Sequence, residues 1–352
     1  MVAAPLGLSA LAPAALRRMR GRAALAGLSA LLVVSIVVAV TIGPAQISAG
    51  EVWTVIAHKL GLVADSPVSR LREGIVWELR LPRVLAAAAV GAGLAICGAV
   101  MQALTRNPLA DPYLLGVSSG AAVGAVSMLL LGATLLLPVG AFLGALAAMA
   151  LTLGLARAMG AITASRAILA GLAVSALASA LTSLLIFWTA TGDSYREILS
   201  WLMGSLAGTR WTDAALGWAA LALIGGPLLT SGRVLDGFVF GDTAARALGI
   251  AVDRTRWLML GGTALLTGVL VAISGAIGFV GLILPHAVRL VCGGRNRDVL
   301  PLAALAGAVF MIWADTAART LFDPRELPVG IVTAMLGAPA FFWVLMRNRR
   351  AT

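Results

Sequence analysis

Residues 82–104 read PRVLAAAAVGAGLAICGAVMQAL, and this stretch decides the fold class. One charged residue, Arg83, stands at its beginning, and one amide, Gln102, stands near its end. The apolar run between them is long enough to cross the hydrocarbon core of a bilayer, which takes about 20 helical residues. A helix that is apolar all round must be surrounded by lipid or by other helices. The stretch therefore predicts a membrane span.

The composition of the whole chain agrees with that interpretation. The 352 residues are 60% hydrophobic and 12% charged, whereas about 25% of the residues in a soluble domain are charged. So few charged groups cannot cover a water-exposed surface. The net charge of +11 could indicate a nucleic-acid partner, but the arginines lie in short gaps between apolar runs and form no basic stripe. We expect membrane lipid around this chain and no nucleic acid.

Nine further apolar runs accompany the first, and each is long enough to be a candidate span. The predicted fold class is all-α, a polytopic membrane protein with about ten transmembrane helices. The ten predicted spans lie near 24–43, 82–104, 112–131, 136–157, 167–190, 213–231, 256–274, 276–292, 300–320 and 328–346.

The distribution of basic residues predicts the orientation. If the N-terminus is cytoplasmic and ten spans follow, most of the 26 lysines and arginines fall in cytoplasmic segments, as the positive-inside rule requires. We therefore expect both termini in the cytoplasm and a multi-pass location in a bacterial inner (cytoplasmic) membrane. The predicted organisation is a basic tail at 1–22, a single transmembrane domain at 23–347 and a short tail at 348–352.

The N-terminal region could be confused with a signal peptide. Four arginines, at positions 17, 18, 20 and 22, precede the first apolar run. That run has about 20 residues, which is nearer to a span than to the apolar core of 7–15 residues in a cleaved signal. We interpret it as a retained first helix.

Glycine spacing predicts close helix packing. Gly116, Gly120 and Gly124 recur every four residues, and Gly140 and Gly144 repeat that spacing in the next span. Small residues at this spacing let helix backbones approach each other closely in lipid.

The sequence lacks the groups that would supply energy. There is no GxxxxGK(S/T) phosphate loop, and the only lysine, Lys59, lies in an outer loop, so the chain cannot be its own ATPase. It contains two histidines and two cysteines, and no metal site, cofactor or catalytic residue is predicted. Asp315 is the only ionisable group well inside a span, whereas ion-coupled transporters use several such groups. It is either a structural acid near Arg319, four residues on, or part of a path or gate.

Four segments break a helix or place polar groups where lipid would forbid it, and one of them is the outer stretch 198–211 (ILSWLMGSLAGTRW), which contains tryptophans at positions 201 and 211. Residues 80–83 (RLPR) open the second span, and two prolines interrupt residues 107–112 (NPLADP). Residues 274–294 (SGAIGFVGLILPHAVRLVCGG) form a glycine-rich short span. Exposed backbone of this kind is tolerated in a membrane only where it is buried in protein or faces a water-filled path. The cytoplasmic stretch of about 235–255 predicts a short amphipathic helix that begins near Asp242 and ends near Gly249.

These segments resemble the FecCD-type permeases of ABC importers for ferric siderophores, haem and cobalamin. The resemblance runs from about 78 to 346. Its strings are GAVMQALTRNPLADPYLLGVSSGA (98–121), SWLMGSLAG (200–208), AARALGI (244–250), GAIGFVGLILPHAVRL (275–290), ADTAAR (314–319) and ELPVGIVTAMLGAP (326–339). The resemblance implies a homodimer that works with two ATP-binding cassette subunits, which use the ATP, and with a periplasmic or lipid-anchored substrate-binding protein.

The resemblance also assigns roles to particular positions. It implies that arginines at the outer mouth dock the binding protein, that the cytoplasmic loop couples to the ATPase, and that two turns form a cytoplasmic gate. The docking residues would be Arg80, Arg83 and Arg319. The coupling residues would be Asp242, Ala245, Arg246, Leu248 and Gly249. The gate residues would be Asn107, Leu109 and Ser165.

The function predicted from sequence is therefore that of a non-enzymatic permease subunit in an ABC importer. A ferric siderophore is the favoured cargo, with haem or cobalamin as alternatives. Two other classes stay open, an ion-coupled secondary transporter and a membrane subunit with a scaffolding role.

Overall fold

A computed structural model describes residues 11–64, 67–160, 163–189 and 192–349. Every regular element in these ranges is helical, which confirms the all-α prediction. The α-helices are α1 (Leu11–Thr41), α2 (Ala49–Lys59), α3 (Arg70–Gly74), α4 (Leu81–Thr105), α5 (Val117–Leu130), α6 (Leu137–Ala158), α7 (Ala164–Thr189), α8 (Gly192–Leu202), α9 (Trp211–Ala220), α10 (Gly226–Thr230), α11 (Gly232–Phe238), α12 (Asp242–Ala247), α13 (Val252–Ser274), α14 (Val280–Cys292), α15 (Asn296–Thr320) and α16 (Val329–Arg349). Two π-helical turns, Ile75–Arg80 and Leu221–Gly225, and two 3-10 turns, Pro112–Leu115 and Thr134–Leu136, connect some of them.

Each of the ten predicted spans coincides with a helical segment, although the helix in the span predicted at 276–292 begins only at Val280. Among the described residues, seven helical stretches are long and apolar enough to cross a membrane: Gly21–Thr41, Arg70–Thr105, Thr134–Ala158, Ala164–Thr189, Trp211–Thr230, Val252–Ser274 and Asn296–Thr320. Three shorter apolar helices, Val117–Leu130, Val280–Cys292 and Val329–Phe342, account for the other three predicted spans.

Some predicted boundaries differ from the structure. The predicted basic tail at 1–22 is helical from Leu11 onward, because arginine, methionine and alanine are good helix formers and nothing interrupts α1 before the membrane. At the other end α16 continues through Arg349, past the predicted boundary at 347. Residues 1–10 and 350–352, which complete the two predicted tails, lie outside the described residues.

Helix α4, the stretch first quoted, lies at the centre of the bundle and is almost entirely buried. Its glycines allow neighbouring backbones to come close. A Cβ added at Gly98 would lie 1.8 Å from the carbonyl oxygen of Gly281 in α14, and one at Gly91 would lie 2.2 Å from that of Gly307 in α15. Because only glycine, which has no Cβ, fits these contacts, the backbone of α4 lies in direct contact with the backbones of α14 and α15.

The predicted glycine contact between α5 and α6 is present. A Cβ at Gly124 would lie 1.9 Å from the carbonyl oxygen of Gly140, and one at Gly120 would lie 2.4 Å from that of Gly144. Gly116, the third glycine of the series, does not take part in this contact. It has a φ of 76° at the end of the 3-10 turn and faces Val174 of α7.

Candidate translocation path and partner surfaces

The first predicted docking residue, Arg83, is bonded inside the chain. It stands in the first turn of α4 and forms an ion pair with Asp315 of α15, with Nε 3.0 Å from Oδ2 and 3.1 Å from Oδ1. Its Nη1 donates to Glu326 Oε2 at 2.7 Å. Asp315 is fully buried, whereas Glu326 lies in the exposed loop before α16. The partner of Asp315 is therefore Arg83, and not Arg319 of its own helix.

The other two predicted docking arginines bind the end of α1. Arg80 donates to the carbonyl oxygens of Thr41 at 3.2 Å and Ala45 at 2.6 Å. Arg319 Nη2 donates to the carbonyl oxygen of Ala39 at 2.8 Å. The last carbonyls of a helix lack helical partners and carry partial negative charge, so they attract cations. The first helix thus supplies acceptors to two buried arginines, as expected of a helix that belongs to the folded protein.

These five charged groups form an outer charge cluster, which we define as Arg80, Arg83, Asp315, Arg319 and Glu326. All three arginines are buried. We expected arginines that a partner's acids could reach directly, and this conformation instead occupies them with acceptors from the chain itself. Three cations face two carboxylates in the cluster, so it retains an excess positive charge. Their role in docking stays a prediction.

The predicted gate residues lie on exposed surface at the cytoplasmic end. Helix α4 ends at Arg106, whose φ is 51°, and Asn107 follows. The Asn107 side chain accepts a hydrogen bond from the backbone N–H of Leu109 at 2.9 Å, which forms a tight Asx-type turn. Ser165 is exposed in the first turn of α7. Among the described residues no hydrogen bond joins Ser165 to the Asn107–Leu109 turn, and their common role as a gate stays a prediction.

The predicted coupling segment contains the short helix expected near Asp242, which is α12. Two of its predicted coupling residues anchor it to the bundle. Asp242 forms a 2.7 Å ion pair with the buried Arg256 of α13, and the guanidinium of Arg256 lies 5.7 Å from the centre of the Phe238 ring. Ala245 is also buried. This inner face fixes α12 on the end of α13.

The other predicted coupling residues point away from the bundle. Leu248 is 69% exposed and neighbouring Phe240 is 80% exposed. Arg246 is exposed and lies 3.8 Å from Asp253, and Gly249, with a φ of 79°, ends the segment. We call Phe240, Arg246, Leu248 and Gly249 the coupling surface. Large apolar side chains on a water-facing surface are typical of a binding site for another protein.

Hydrogen bonds connect the coupling segment to two other spans. Asp236 of α11 accepts from the backbone N–H of Asn296, the first residue of α15, at 2.6 Å. The side-chain oxygen of Asn296 accepts from Arg289 of α14 at 2.9 Å. In addition, Gly241 packs beside the guanidinium of Arg106, next to the gate turn. The coupling segment is thus bonded directly to α15, linked through Asn296 to α14, and in contact with the residue that precedes the gate turn.

A break in the helical backbone separates α13 from α14 at Gly275–Phe279. The side chain of Tyr113, from the 3-10 turn before α5, forms hydrogen bonds with both backbone polar groups of Ile277 in this break. The sequence indicated a flexible segment here from its glycines, but it gave no signal that Tyr113 would bind there. Likewise, nothing in the sequence pattern indicated the Asp236–Asn296 contact.

A protein-family model described as the FecCD transport family matches residues 31–347. The chain belongs to this family. Because that match covers most of the chain, it confirms the resemblance on which the sequence prediction rested. This FecCD member is thus a permease subunit of an ABC importer and not a catalytic subunit, and it is a multi-pass protein of the inner (cytoplasmic) membrane.

Individual relatives extend the comparison. The chain is 43% identical over 303 residues to the vitamin B12 import system permease protein BtuC of Vibrio cholerae, covering 85% of this chain and 88% of that protein. It is 42% identical to the cobalamin import system permease protein BtuC of Halobacterium salinarum, covering 86% and 81%. It is also 42% identical to the uncharacterized ABC transporter permease protein YvrB of Bacillus subtilis, covering 95% and 96%.

A solved structure also matches. It is described as an inward-facing conformation of a metal-chelate type ABC transporter, with a TM-score of 0.79 and 33% identity, covering 92% of this chain and 98% of that chain.

Proposed function

We propose that this FecCD permease carries a corrinoid, with cobalamin as the first candidate, into the cytoplasm. The observation that carries this proposal is the set of named relatives. A bacterial and an archaeal permease named for vitamin B12 or cobalamin import share more than 40% identity with this chain over more than four fifths of its length. This moves cobalamin ahead of the ferric siderophore that the sequence analysis favoured.

A ferric siderophore or another iron chelate is the second candidate. Its support is the solved structure of a metal-chelate type transporter, at 33% identity and a TM-score of 0.79. Haem is the third candidate, and it rests on the breadth of the family resemblance alone.

The proposed assembly contains two copies of this chain, two ATP-binding cassette subunits and one substrate-binding protein. The ATPase would seat on the coupling surface, because Phe240 and Leu248 present apolar area to the cytoplasm. This chain binds no cofactor in the proposal, and the ATP belongs to the partner. Closure of the ATPase dimer would push α12, and the contacts of Asp236 and Gly241 would transmit that push to α14, α15 and the gate turn.

The substrate-binding protein would dock at the outer charge cluster. Support comes from the excess of three arginines over two carboxylates, which a carboxylate from a partner would neutralise. The partly exposed Glu326 is the acid that such a carboxylate could displace, because Arg83 would keep its bond to the buried Asp315. Charge pairing of this kind gives orientation and speed of association more than affinity.

In this proposal the translocation path contains no high-affinity binding site for the cargo. Alternating access moves the cargo by opening the path to one side and then to the other, and small and apolar linings let a bulky chelate pass. An ion-coupled mechanism is disfavoured, because such mechanisms use several acids inside the spans, whereas Asp315, the one acid well inside a predicted span, is paired with Arg83.

The test is uptake into proteoliposomes that hold this chain with its ATPase and binding protein. Labelled cobalamin, ferric siderophore and haem are offered in parallel, with and without ATP inside. We expect ATP-dependent uptake of cobalamin. ATP-dependent uptake of the siderophore alone would overturn the cargo assignment and keep the importer. Uptake that follows an imposed proton or sodium gradient without ATP would overturn the mechanism.

A further inference from the structure

The break between α13 and α14 is an unusual piece of backbone for a membrane-spanning bundle. Helix α13 ends at Ser274 and α14 begins at Val280. Gly275 has a φ of 66° and Phe279 a φ of 70°. The backbone groups between them lack helical partners, and the membrane interior has no water to satisfy them. The break therefore depends on contacts from other parts of the chain.

Tyr113 supplies the central contact. Its hydroxyl donates to the carbonyl oxygen of Ile277 at 2.9 Å and accepts from the backbone N–H of the same residue at 3.0 Å. One side-chain oxygen thus satisfies both backbone groups of one residue. A second bond, from the N–H of Ser205 to the carbonyl oxygen of Ser274 at 2.8 Å, fixes the beginning of the break.

Phe279, at the other end of the break, is in a conformation that residues with side chains seldom adopt. Its side chain packs against Gly337 of α16, where an added Cβ would lie 2.5 Å from the Phe279 Cβ. Such backbone persists only where the surroundings determine it, and it is concentrated at switch regions. The break therefore has the properties of a hinge held closed by its neighbours.

Tyr113 connects this hinge to the cytoplasmic gate turn. It lies only a few residues after Asn107 and Leu109, and the side chain of Asp111 accepts a hydrogen bond from the backbone N–H of Tyr113 at 2.8 Å. The gate turn, in turn, packs against the coupling segment through Arg106 and Gly241. A movement of the coupling surface can thus reach the Tyr113 hydroxyl through a short, continuous run of contacts.

We propose that the Tyr113 hydroxyl is a latch that holds the break at Gly275–Phe279, and that its release by movement of the gate turn lets α14 shift and the path open. Tyr113 is a positioning residue in this mechanism, since it acts through Ile277 and not on the cargo. The transport part of this inference rests on the proposed function, whereas the latch itself is a property of this chain.

The first experiment measures the latch without transport. Amide hydrogen exchange is followed in the purified permease, reconstituted in lipid nanodiscs, for the native chain and for Tyr113→Phe. Loss of the hydroxyl leaves the Ile277 N–H and carbonyl without partners, so we expect exchange in 275–280 to become about 10-fold faster. Tyr195→Phe is the matched control, because Tyr195 of α8 is half-exposed and its loss should leave 275–280 unchanged. Unchanged exchange in Tyr113→Phe would overturn the proposal.

The second experiment asks whether the latch controls opening. A cysteine replaces Gly278, where an added Cβ meets open space. Cys292 is replaced by serine, and the fully buried Cys97 is kept. In the assembled transporter with its ATPase, we expect maleimide labelling at position 278 to depend on bound nucleotide in the native background. With Tyr113→Phe, labelling should be fast in every nucleotide state, and the cargo moved per ATP hydrolysed should fall.

The outcomes separate the two claims. If Tyr113→Phe keeps both the nucleotide dependence of labelling and the native ratio of cargo to ATP, the latch does not control opening and the inference is wrong. If the native complex takes up none of the three cargoes, the cargo proposal fails, while the exchange measurement still decides whether Tyr113 holds the break.

Discussion

The proposed partner surfaces at the two ends of the bundle differ in how far the chain's own groups cover them. At the outer end, the arginines expected to meet a binding protein are buried, and acceptors from α1, α15 and the loop before α16 occupy them. At the cytoplasmic end, Phe240 and Leu248 are left largely exposed to water. The outer charge cluster is thus occupied by groups of its own chain, whereas the coupling surface leaves large apolar side chains uncovered.

This difference indicates two kinds of association. Exposed apolar area favours a lasting contact with another protein. At the outer charge cluster, a carboxylate from a partner would meet an excess of one positive charge, and charge pairing of this kind favours rapid association more than affinity. The proposed ATPase contact therefore rests on apolar area, and the proposed contact with the binding protein rests on charge. The following predictions test this contrast, beginning with the largest expected effect.

Removing the acid of the buried outer pair should have the largest effect on stability. In Asp315→Asn the charge of Arg83 loses its buried partner, and breaking such a pair costs about 3–5 kcal/mol. We expect a large fall in the thermal unfolding temperature of the purified permease. The matched control is Asp253→Asn, which breaks the exposed pair with Arg246 and should cost about 0–1 kcal/mol. Equal shifts in the two variants would contradict the view that the outer end is held by its own charges.

A charge on the coupling surface should break ATPase binding and leave the fold intact. Leu248→Glu places a carboxylate on the exposed apolar surface, and loss of one central apolar contact costs about 2 kcal/mol of binding, or roughly 30-fold in affinity. Titration of the permease with its ATPase measures this loss. Leu62→Glu is the control, because Leu62 is also strongly exposed but lies in the loop after α2, away from the coupling segment. If Leu248→Glu binds the ATPase normally, the coupling surface lies elsewhere.

Disturbing the glycine contact between α5 and α6 should lower stability moderately, by less than the loss of the buried ion pair. A Cβ in Gly124→Ala would lie 1.9 Å from the carbonyl oxygen of Gly140, and overpacking of this kind costs about 1–3 kcal/mol. The free energy of unfolding in a denaturing detergent titration measures the change. Gly154→Ala, on an open face of α6 where nothing lies within 4 Å, should be neutral or slightly stabilising. A neutral Gly124→Ala would mean that the two helices can separate at no cost.

The sequence alone was sufficient to predict the features that depend on the lipid environment and on patterns among nearby residues. The positions of the seven long apolar helices and the three shorter ones follow from hydropathy, because a segment that crosses a bilayer must be predominantly apolar. The contact of Gly120 and Gly124 with α6 follows from spacing alone, and α12 follows from capping signals at Asp242 and Gly249. In each case the residues that decide the structure are neighbours in the sequence.

The features that escaped prediction depend on residues far apart in the chain. Arg83 and Asp315 are 232 positions apart, and Tyr113 and Ile277 are 164 apart. No periodicity connects such pairs, and the local pattern made Arg319 look like the natural partner of Asp315 because the two lie one helical turn apart. Arg319 instead binds α1. This contact depends on the packing of α1 against α15, which the sequence pattern does not show.

The smallest predicted effect concerns helix α2, on the outer surface. It distinguishes the exposed charges around α2 from the buried outer charge cluster. Ser48 and Glu51 form a capping box at the start of α2, and Glu51 also pairs with Arg72. Hydrogen bonds from Ser48, and then the one from Arg72, hold the pKa of Glu51 below its usual value of 4.5. A lowered pKa means that the carboxylate stabilises α2 above pH 4.5 and loses this contribution as the pH falls through the lower, folded-state pKa.

We therefore expect hydrogen exchange in residues 49–59 to rise when the pH falls below 4.5, after correction for the intrinsic pH dependence of exchange. Glu51→Gln should exchange faster at neutral pH and show no further rise on acidification. Exchange near Arg83 and Asp315 should stay unchanged over the same range, because that pair is buried and its two members lie on α4 and α15 rather than on α2. If residues 49–59 and the buried cluster loosen together, the outer end is one cooperative unit, and the distinction between its surface layer and its core is wrong.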